Sequence, residues 1–249
     1  MYKAIVCSYK EPEEMLKKCL ARIQEANGIP ILVKDISPVG KARNIGLASV
    51  NEDYVFFVDM DELVPPDYFE TMTKIFEKCE PEVGGIWALH VPPKNATTLQ
   101  KLEQGLLNYY QKRNMGKDVS SIGCGGSCYK KQAIQGLKFD EKVATGEDAA
   151  FCGKVRERGW KLRIAPIKIE HVKPKNFSDW IKSEFYGGVG YFQLGGSITY
   201  SVKRLLGSPL RGLQISIHYR NPLFFFYYPL RLLFWFTGIL KASFTIKRK

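Results

Sequence analysis

The chain has 249 residues, 45% hydrophobic and 25% charged, a length and balance that exclude a disordered segment and a disulfide-dense miniprotein and suffice for a proper core in one large domain or two small ones. Its charge is uneven: residues 1–153 hold 19 Lys+Arg against 21 Asp+Glu, residues 154–249 hold 18 against 4, and no acid follows Glu184. A basic C-terminal part of this kind is expected to meet an anionic surface, nucleic acid or phospholipid.

Residues 2–8 are predicted to be a buried strand. Residues 12–27 have helical spacing, with Met15, Leu16, Cys19, Leu20 and Ile23 on one face and Asn27-Gly28 as the stop. A second strand covers 30–35, a short helix 39–50 and a third strand 54–59. Pro65-Pro66 opens a helix over 67–79, where a missing N–H costs little. Residues 83–91 read as a strand and 97–113 as a helix. Residues 120–130, with Gly123, Gly125 and Gly126, read as a strand packed closely against a neighbour. A helix over 147–159 precedes residues 160–170, which read as a strand pair or as one strand bent around Pro166. Strand–helix alternation over residues 1–80 predicts an α/β fold with a doubly wound, mostly parallel sheet flanked by helices. Beyond Asn176 a helix over 177–186 is expected to break at Gly187-Gly188, Gly190 and Gly195-Gly196. Residues 201–219 are basic and amphipathic, and 223–240 are apolar and aromatic before Lys241 and Lys247-Arg248-Lys249.

The six cysteines, Cys7, Cys19, Cys79, Cys124, Cys128 and Cys152, form no disulfide framework, so reduced thiols in a cytosolic compartment are expected. Cys124 and Cys128 lack a second pair with zinc-ligand spacing. Met1-Tyr2-Lys3 leads straight into a strand, so no signal peptide is expected, and the sequons at Asn95 and Asn176 carry no weight.

The densest chemistry lies in Tyr54-Val55-Phe56-Phe57-Val58-Asp59-Met60-Asp61-Glu62. An apolar strand ends in three carboxylates within four residues, and that charge at a core edge calls for a cation. Oxygen ligands at a strand's carboxyl end, where open α/β sheets bind ligands, suit Mg²⁺ or Mn²⁺ carrying a diphosphate. Asp59 and Asp61 are two apart, so in an extended strand end both face one side; taken alone they fit a solvated turn equally well. Gly146-Glu147-Asp148 opens a helix, where acids also serve as ordinary caps. Beside a metal–diphosphate site, Asp148 there can instead accept a proton from an attacking hydroxyl. His171, at a strand end, becomes a metal-ligand candidate in that context and is otherwise a surface residue. Lys41-Ala42-Arg43-Asn44 starts a helix or sets a basic group near the diphosphate or the base.

In their order and spacing these motifs resemble glycosyltransferase family 2 on the A-type glycosyltransferase fold, over roughly residues 1–190. The resemblance implies nucleotide contacts from Cys7-Ser8-Tyr9-Lys10-Glu11, with Ser8, Tyr9 and Glu11 as contact residues, and a base or ribose contact from Asp35. Lys41, Arg43 and Asn44 match the helix before the metal strand, and Asp59-Met60-Asp61 matches the DXD metal motif, with Asp59 also facing the donor. Gly126-Ser127-Cys128 matches the segment lining the donor sugar, and Gly146-Glu147-Asp148 the acceptor-side base motif, with Asp148 and Glu147 as catalytic candidates. His171 matches the metal-side His. The implied activity is an inverting hexosyl transfer from a UDP- or GDP-type sugar, with Mn²⁺ or Mg²⁺ as cofactor. The implied metal ligands are Asp59, Asp61 and His171.

Residues 223–240 reach about 27 Å as a helix, barely the thickness of a bilayer core, with Pro229 and Arg231 in the middle. A central Arg costs about 2.5–3.5 kcal/mol on insertion scales. Eight of the residues from Phe224 to Phe236 are Phe, Tyr or Trp, which prefer the interface, so a membrane-surface helix is favoured over a span. Contiguous aromatics favour lipid over nucleic acid, where rings and cations interleave; a tail folded back as core is the competing possibility. The expected division is a catalytic domain at 1–175 and a membrane-interfacial region at 176–249, on the cytoplasmic side of an anionic membrane, peripheral or monotopic. The expected acceptor is a hydroxyl of a lipid-linked saccharide or glycolipid. The polyprenyl-phosphate monosaccharide synthases fit less well: Leu63 stands where their motif usually has Gln, and His171 where they carry Arg. A non-catalytic membrane adaptor and a nucleotidyltransferase are the alternatives of other classes.

Overall fold

The first strand, β1 (Tyr2–Ser8), forms where the sequence predicts it, and its middle residues Ala4, Ile5 and Val6 are buried. The computed structural model describes residues 2–245 apart from Glu11, Ala144, Pro174 and Lys175. Two compact units account for the chain: Met1–Lys94, Tyr110–Lys142 and Glu147–Val172 make the first, and Asn95–Tyr109, Val143–Gly146 and Lys173–Lys249 the second.

In the first unit the remaining elements are α1 (Glu13–Glu25), β2 (Gly28–Lys34), α2 (Val39–Ala48), β3 (Tyr54–Phe57), β4 (Glu62–Leu63), α3 (Tyr68–Lys78), β5 (Val83–Val91), β6 (Ser127–Lys130), α5 (Lys131–Ile134), α6 (Glu147–Glu157) and β7 (Lys161–His171). One helix, α4 (Thr98–Asn114), divides between the units. The seven strands form one sheet in the order β2-β1-β3-β6-β5-β7-β4. β1 is parallel to β2 and β3, and β5 to β7, whereas β6 is antiparallel to both β3 and β5. β4 is antiparallel to β7. It follows that β1, β2, β3, β5 and β7 all point one way and share a carboxyl edge. The expected parallel frame is present, with β6 inserted against it.

Burial explains the local choices. β3 continues into Val58, and Val55 to Val58 are all essentially inaccessible, as befits a strand covered on both faces. On one face Phe56 meets Phe69 edge-on at 4.9 Å, and Tyr2 stacks on Phe69 at 5.7 Å. α1 buries Leu16, Cys19 and Ile23 at helical spacing, with Glu13 and Glu14 in its first turn and Arg22 in its last, as the helix dipole favours.

One expectation changes here and one alternative is settled. Residues 120–126 are not strand; only Ser127–Lys130 pairs. The glycines instead admit Trp87, whose indole Nε1–H donates to the Gly125 carbonyl at 2.8 Å, and a Cβ on Gly123 would stand 2.7 Å from its ring. β7 is one strand that absorbs Pro166 as a register irregularity between Ile164 and Lys168.

The second unit is helical: α7 (Phe177–Gln193), α8 (Ile198–Leu206), α9 (Ser208–Tyr219), α10 (Leu223–Thr245) and the first part of α4. Its core centres on Trp180, stacked on Tyr227 at 5.1 Å and met edge-on by Phe234 at 5.7 Å. The predicted break at Gly187-Gly188 does not occur; α7 runs on to Gln193. A Cβ on Gly188 would collide with the Trp235 carbonyl, and one on Gly238 with the Phe185 carbonyl, so these glycines let two helix backbones meet. The basic, amphipathic stretch over 201–219 lies on two helices, parted at Gly207 with Pro209 in the first turn of α9.

α10 is long and apolar enough to cross a membrane, and 28% of its most apolar stretch is buried. Phe224, Tyr227, Leu232, Ile239 and Ala242 face inward, so the tail is partly core. Arg231 is not a bare mid-helix charge: its Nε donates to Glu184 Oε1 at 2.9 Å, and Nη2 lies 3.7 Å from Glu103. Leu206, Leu210, Ile217, Phe226 and Phe244 are left largely exposed.

Candidate active site

The shared carboxyl edge gathers the chemistry. Ser8 ends β1 and accepts the Asp35 N–H at 2.8 Å, so the tips of β1 and β2 meet there. Ser8 is buried, Tyr9 and Asp35 are exposed, and Asp35 holds φ at 58°. Glu11 lies outside the described residues. Asp59 follows β3, His90 ends β5 and His171 ends β7.

Arg43 is the hub. It is buried on α2, its Nη2 lies 3.2 Å from Asp59 Oδ1, and its Nη1 pairs closely with Glu147 at the start of α6. Burial works against the guanidinium charge, and the surrounding Asp59, Glu147 and Asp148 more than restore it. Burial pushes the carboxyls of Glu147 and Asp148 above the ordinary range, and Arg43 pulls both back. Asp148 is half-buried, and among the described residues its Oδ1 accepts the adjacent Ala149 N–H, at 2.8 Å. Asp59, Arg43, Glu147 and Asp148 thus form one electrostatic group.

The other predicted basic-helix residues behave differently. Lys41 is exposed. Asn44 is occupied by the chain itself: its amide donates to Phe139 O at 3.1 Å and Glu141 Oε1 at 2.8 Å and accepts the Phe139 N–H at 2.8 Å.

Asp61 and His171 form a second pair, Oδ2 to Nε2 at 3.2 Å. Burial opposes the His171 imidazolium, but Asp61 outweighs it and raises the pKa to about 9. Cis ligands of an octahedral ion held at about 2.1 Å lie roughly 3 Å apart, so this pair has the spacing for one Mg²⁺-type cation. Among the described residues no three His, Cys, Asp or Glu side chains gather as a preformed cage. The structure therefore does not bring Asp59 onto the Asp61–His171 pair: Asp59 turns one oxygen to Arg43 and the other toward Gly125, where an added Cβ would lie 2.6 Å from it. Two protein ligands suit a cation completed by substrate phosphates, so the donor set fits.

Sequence reasoning missed the layer beneath. Glu62 Oε2 accepts the Asp59 N–H at 2.8 Å, and its Oε1 lies 2.7 Å from His90 Nε2. Burial pushes His90 down to about 3 and pushes the Glu62 carboxyl up, so the site disfavours charge on either. Gln111 fixes His90 from the other side, accepting its N–H at 3.1 Å. A lone polar residue in the apolar run 83–91 was the available signal. Gly126, at φ 66°, has no room for a Cβ beside Ile169.

A family model described as "Glycosyltransferase like family 2" matches residues 2–187. The chain is 30% identical over 162 residues to a pre-mycofactocin glycosyltransferase of Mycobacterium tuberculosis, covering 59% of this chain and 33% of that protein. It is 28% identical over 125 residues to the minor teichoic acid biosynthesis protein GgaB of Bacillus subtilis, covering 49% and 14%. The chain thus spans about a third or less of the length of the curated relatives it matches. Among solved structures, the mannosyltransferase PcManGT from Pyrobaculum calidifontis, in complex with GDP-Man and Mn²⁺, superposes with a TM-score of 0.57 at 14% identity, covering 99% of this chain and 76% of that one. S. aureus TarS 1–349 in complex with UDP-GlcNAc gives 0.53 at 11%, covering 76% and 65%. At such identities these two speak for the fold, which is the A-type glycosyltransferase fold.

Proposed function

Since the chain belongs to glycosyltransferase-like family 2, we propose that it moves a hexose from a nucleoside diphosphate sugar to a hydroxyl of a membrane-borne acceptor, inverting the anomeric carbon. The observation that carries this is the Asp59–Arg43–Glu147–Asp148 group at the carboxyl edge of the sheet, with Asp61 and His171 paired alongside. Residues 1–175 then carry the chemistry and 176–249 the membrane contact.

Asp61 and His171 would hold Mn²⁺ or Mg²⁺, which when bound offsets charge on the departing diphosphate as a Lewis acid. His171 gives up its proton to serve as a ligand. Asp148 takes the proton of the acceptor hydroxyl as it attacks the donor sugar. A carboxyl raised by burial is better matched to that task than an ordinary Asp. Glu147, neutralised by Arg43, positions the start of α6 rather than moving a proton. Arg43 also fixes Asp59 beside Gly125, where an added side chain would collide with the carboxylates of Asp59 and Glu62. The Glu62–His90 pair supports Asp59 from below through the Asp59 N–H. Ser8, Tyr9, Asp35 and Lys41 stand at the same edge for base, ribose and diphosphate. Lipid-linked saccharides and glycolipids are the acceptor class, because the basic second unit exposes large apolar side chains beside its cations.

The test is a donor screen. UDP- and GDP-sugars with Mn²⁺ should raise the unfolding temperature for one donor class, and the Asp61→Ala variant should lose both that shift and slow donor hydrolysis. A protein that no nucleotide sugar stabilises, with or without the ion, refutes the reading.

A further inference from the structure

The second unit holds a cavity of about 270 Å³ lined by Glu184, Arg204, Tyr228, Arg231, Leu232 and Trp235. Its two arginines are not equivalent. Arg231 is engaged by Glu184 and Glu103. Burial lifts the Glu184 carboxyl above its usual range while Arg231 pulls it down. Arg204, by contrast, has no ion pair within 4 Å among the described residues, though it also attracts the Glu184 carboxylate; its guanidinium lies 4.9 Å from the centre of the Trp235 ring and 5.9 Å from that of Tyr200. A cation–π contact with the indole draws on the guanidinium charge and leaves its N–H donors for another partner. Trp235 also packs on Tyr191 at 4.8 Å, so the chemistry on offer is the guanidinium fork rather than a ring for stacking a neutral sugar. That fork matches a phosphate.

We propose that this cavity binds the phosphate headgroup of an anionic lipid, with Arg204 as the fork and the Tyr228 hydroxyl beside it. The inference rests on the membrane reading above, for α8 and α10, which line the cavity together with α7, also carry the exposed Leu206, Phe226 and Phe244. Free inorganic phosphate offers the same oxygens, so the experiment separates the two sources.

Arg204→Gln is compared with Lys203→Gln, which removes one charge from the same helix outside the cavity lining. Co-sedimentation with phosphatidylcholine vesicles, with and without phosphatidylglycerol, reads lipid binding, and calorimetry with inorganic phosphate reads the free anion. Arg204→Gln should weaken binding to the phosphatidylglycerol vesicles about ten- to a hundredfold, more than Lys203→Gln does, with donor stabilisation unchanged. Arg204→Lys keeps the charge and loses the fork; it should fall between them and guards against misfolding of the glutamine variant. Equal losses for the Gln variants at 203 and 204 would overturn the site while leaving the membrane reading standing. Saturable phosphate binding that Arg204→Gln abolishes, with vesicle binding intact, would overturn the lipid assignment. A wild-type protein that ignores all vesicles takes down the membrane reading and this site with it.

Discussion

Replacing Arg43 with Met should destabilise the first unit by about 3–5 kcal/mol, the range for breaking a buried ion pair by removing one partner. The structure says where that cost arises. The Arg43–Asp59 contact at 3.2 Å is worth ~5 kcal/mol at an effective dielectric of about 20. The Asp59 side chain is 39% exposed, so water recovers much of this when the pair is broken. Glu147 has no such relief: it and Arg43 are 8% and 7% exposed. In the variant its carboxyl is relieved by taking up a proton, which at pH 7 costs about 3 kcal/mol from an ordinary Glu. Glu147 then has a folded pKa raised above its unfolded one, so the folded state binds the extra proton and stability falls as pH rises from about 4.5 through that folded pKa. Urea unfolding of wild type, Arg43→Met and Arg43→Met/Glu147→Gln between pH 5 and 8 tests this. The double variant should recover most of the loss and lose the added pH dependence. A single variant within about 0.5 kcal/mol of wild type, as surface changes are, or a double variant no better than the single, would refute the argument.

Asp148→Asn should lower kcat by about 10²–10⁴, the usual worth of a general base, while the donor still shifts the unfolding temperature. Stripping divalent ions with EDTA should remove the donor-induced shift, and adding Mn²⁺ back should restore it in wild type but not in Asp61→Ala. Gly188→Val should cost at least about 1–3 kcal/mol in thermal or urea unfolding, because the new side chain meets the Trp235 backbone, which cannot rotate away. Combined Leu206→Ser, Phe226→Ser and Phe244→Ser should reduce vesicle co-sedimentation with little change in unfolding, since all three are exposed by more than 60%.

The first unit was largely legible because its signals are local. An apolar run stopping at Asp59, a Pro pair before α3 and an acid pair opening α6 each mark a strand or helix end within a few residues. What escaped notice depends on contacts distant in sequence. His90 and Glu62 are 28 residues apart and become a pair only once β5 and β4 are gathered into one sheet. The partner that Arg43 finds in Glu147 is 104 residues away. Close packing at Gly123 was legible though the strand there was not, whereas Gly188 was misread: its missing side chain serves as an invitation to a neighbour rather than as a local break. Gly123 admits an indole, and Gly188 admits a helix backbone. The tail was read from composition, which registers how apolar it is but not which rings turn inward.

Arg231 decides that last point. Two carboxylates on other helices grip its head, and a helix gripped at one charged residue cannot spin about its axis. The arc of α10 shown to the outside is therefore keyed, much as a shaft is fixed by a pin, and Phe226 and Phe244 are kept on the outer side. Loosen the pin, with Glu103→Gln and Glu184→Gln together, and the same sequence becomes free to offer a different set of rings.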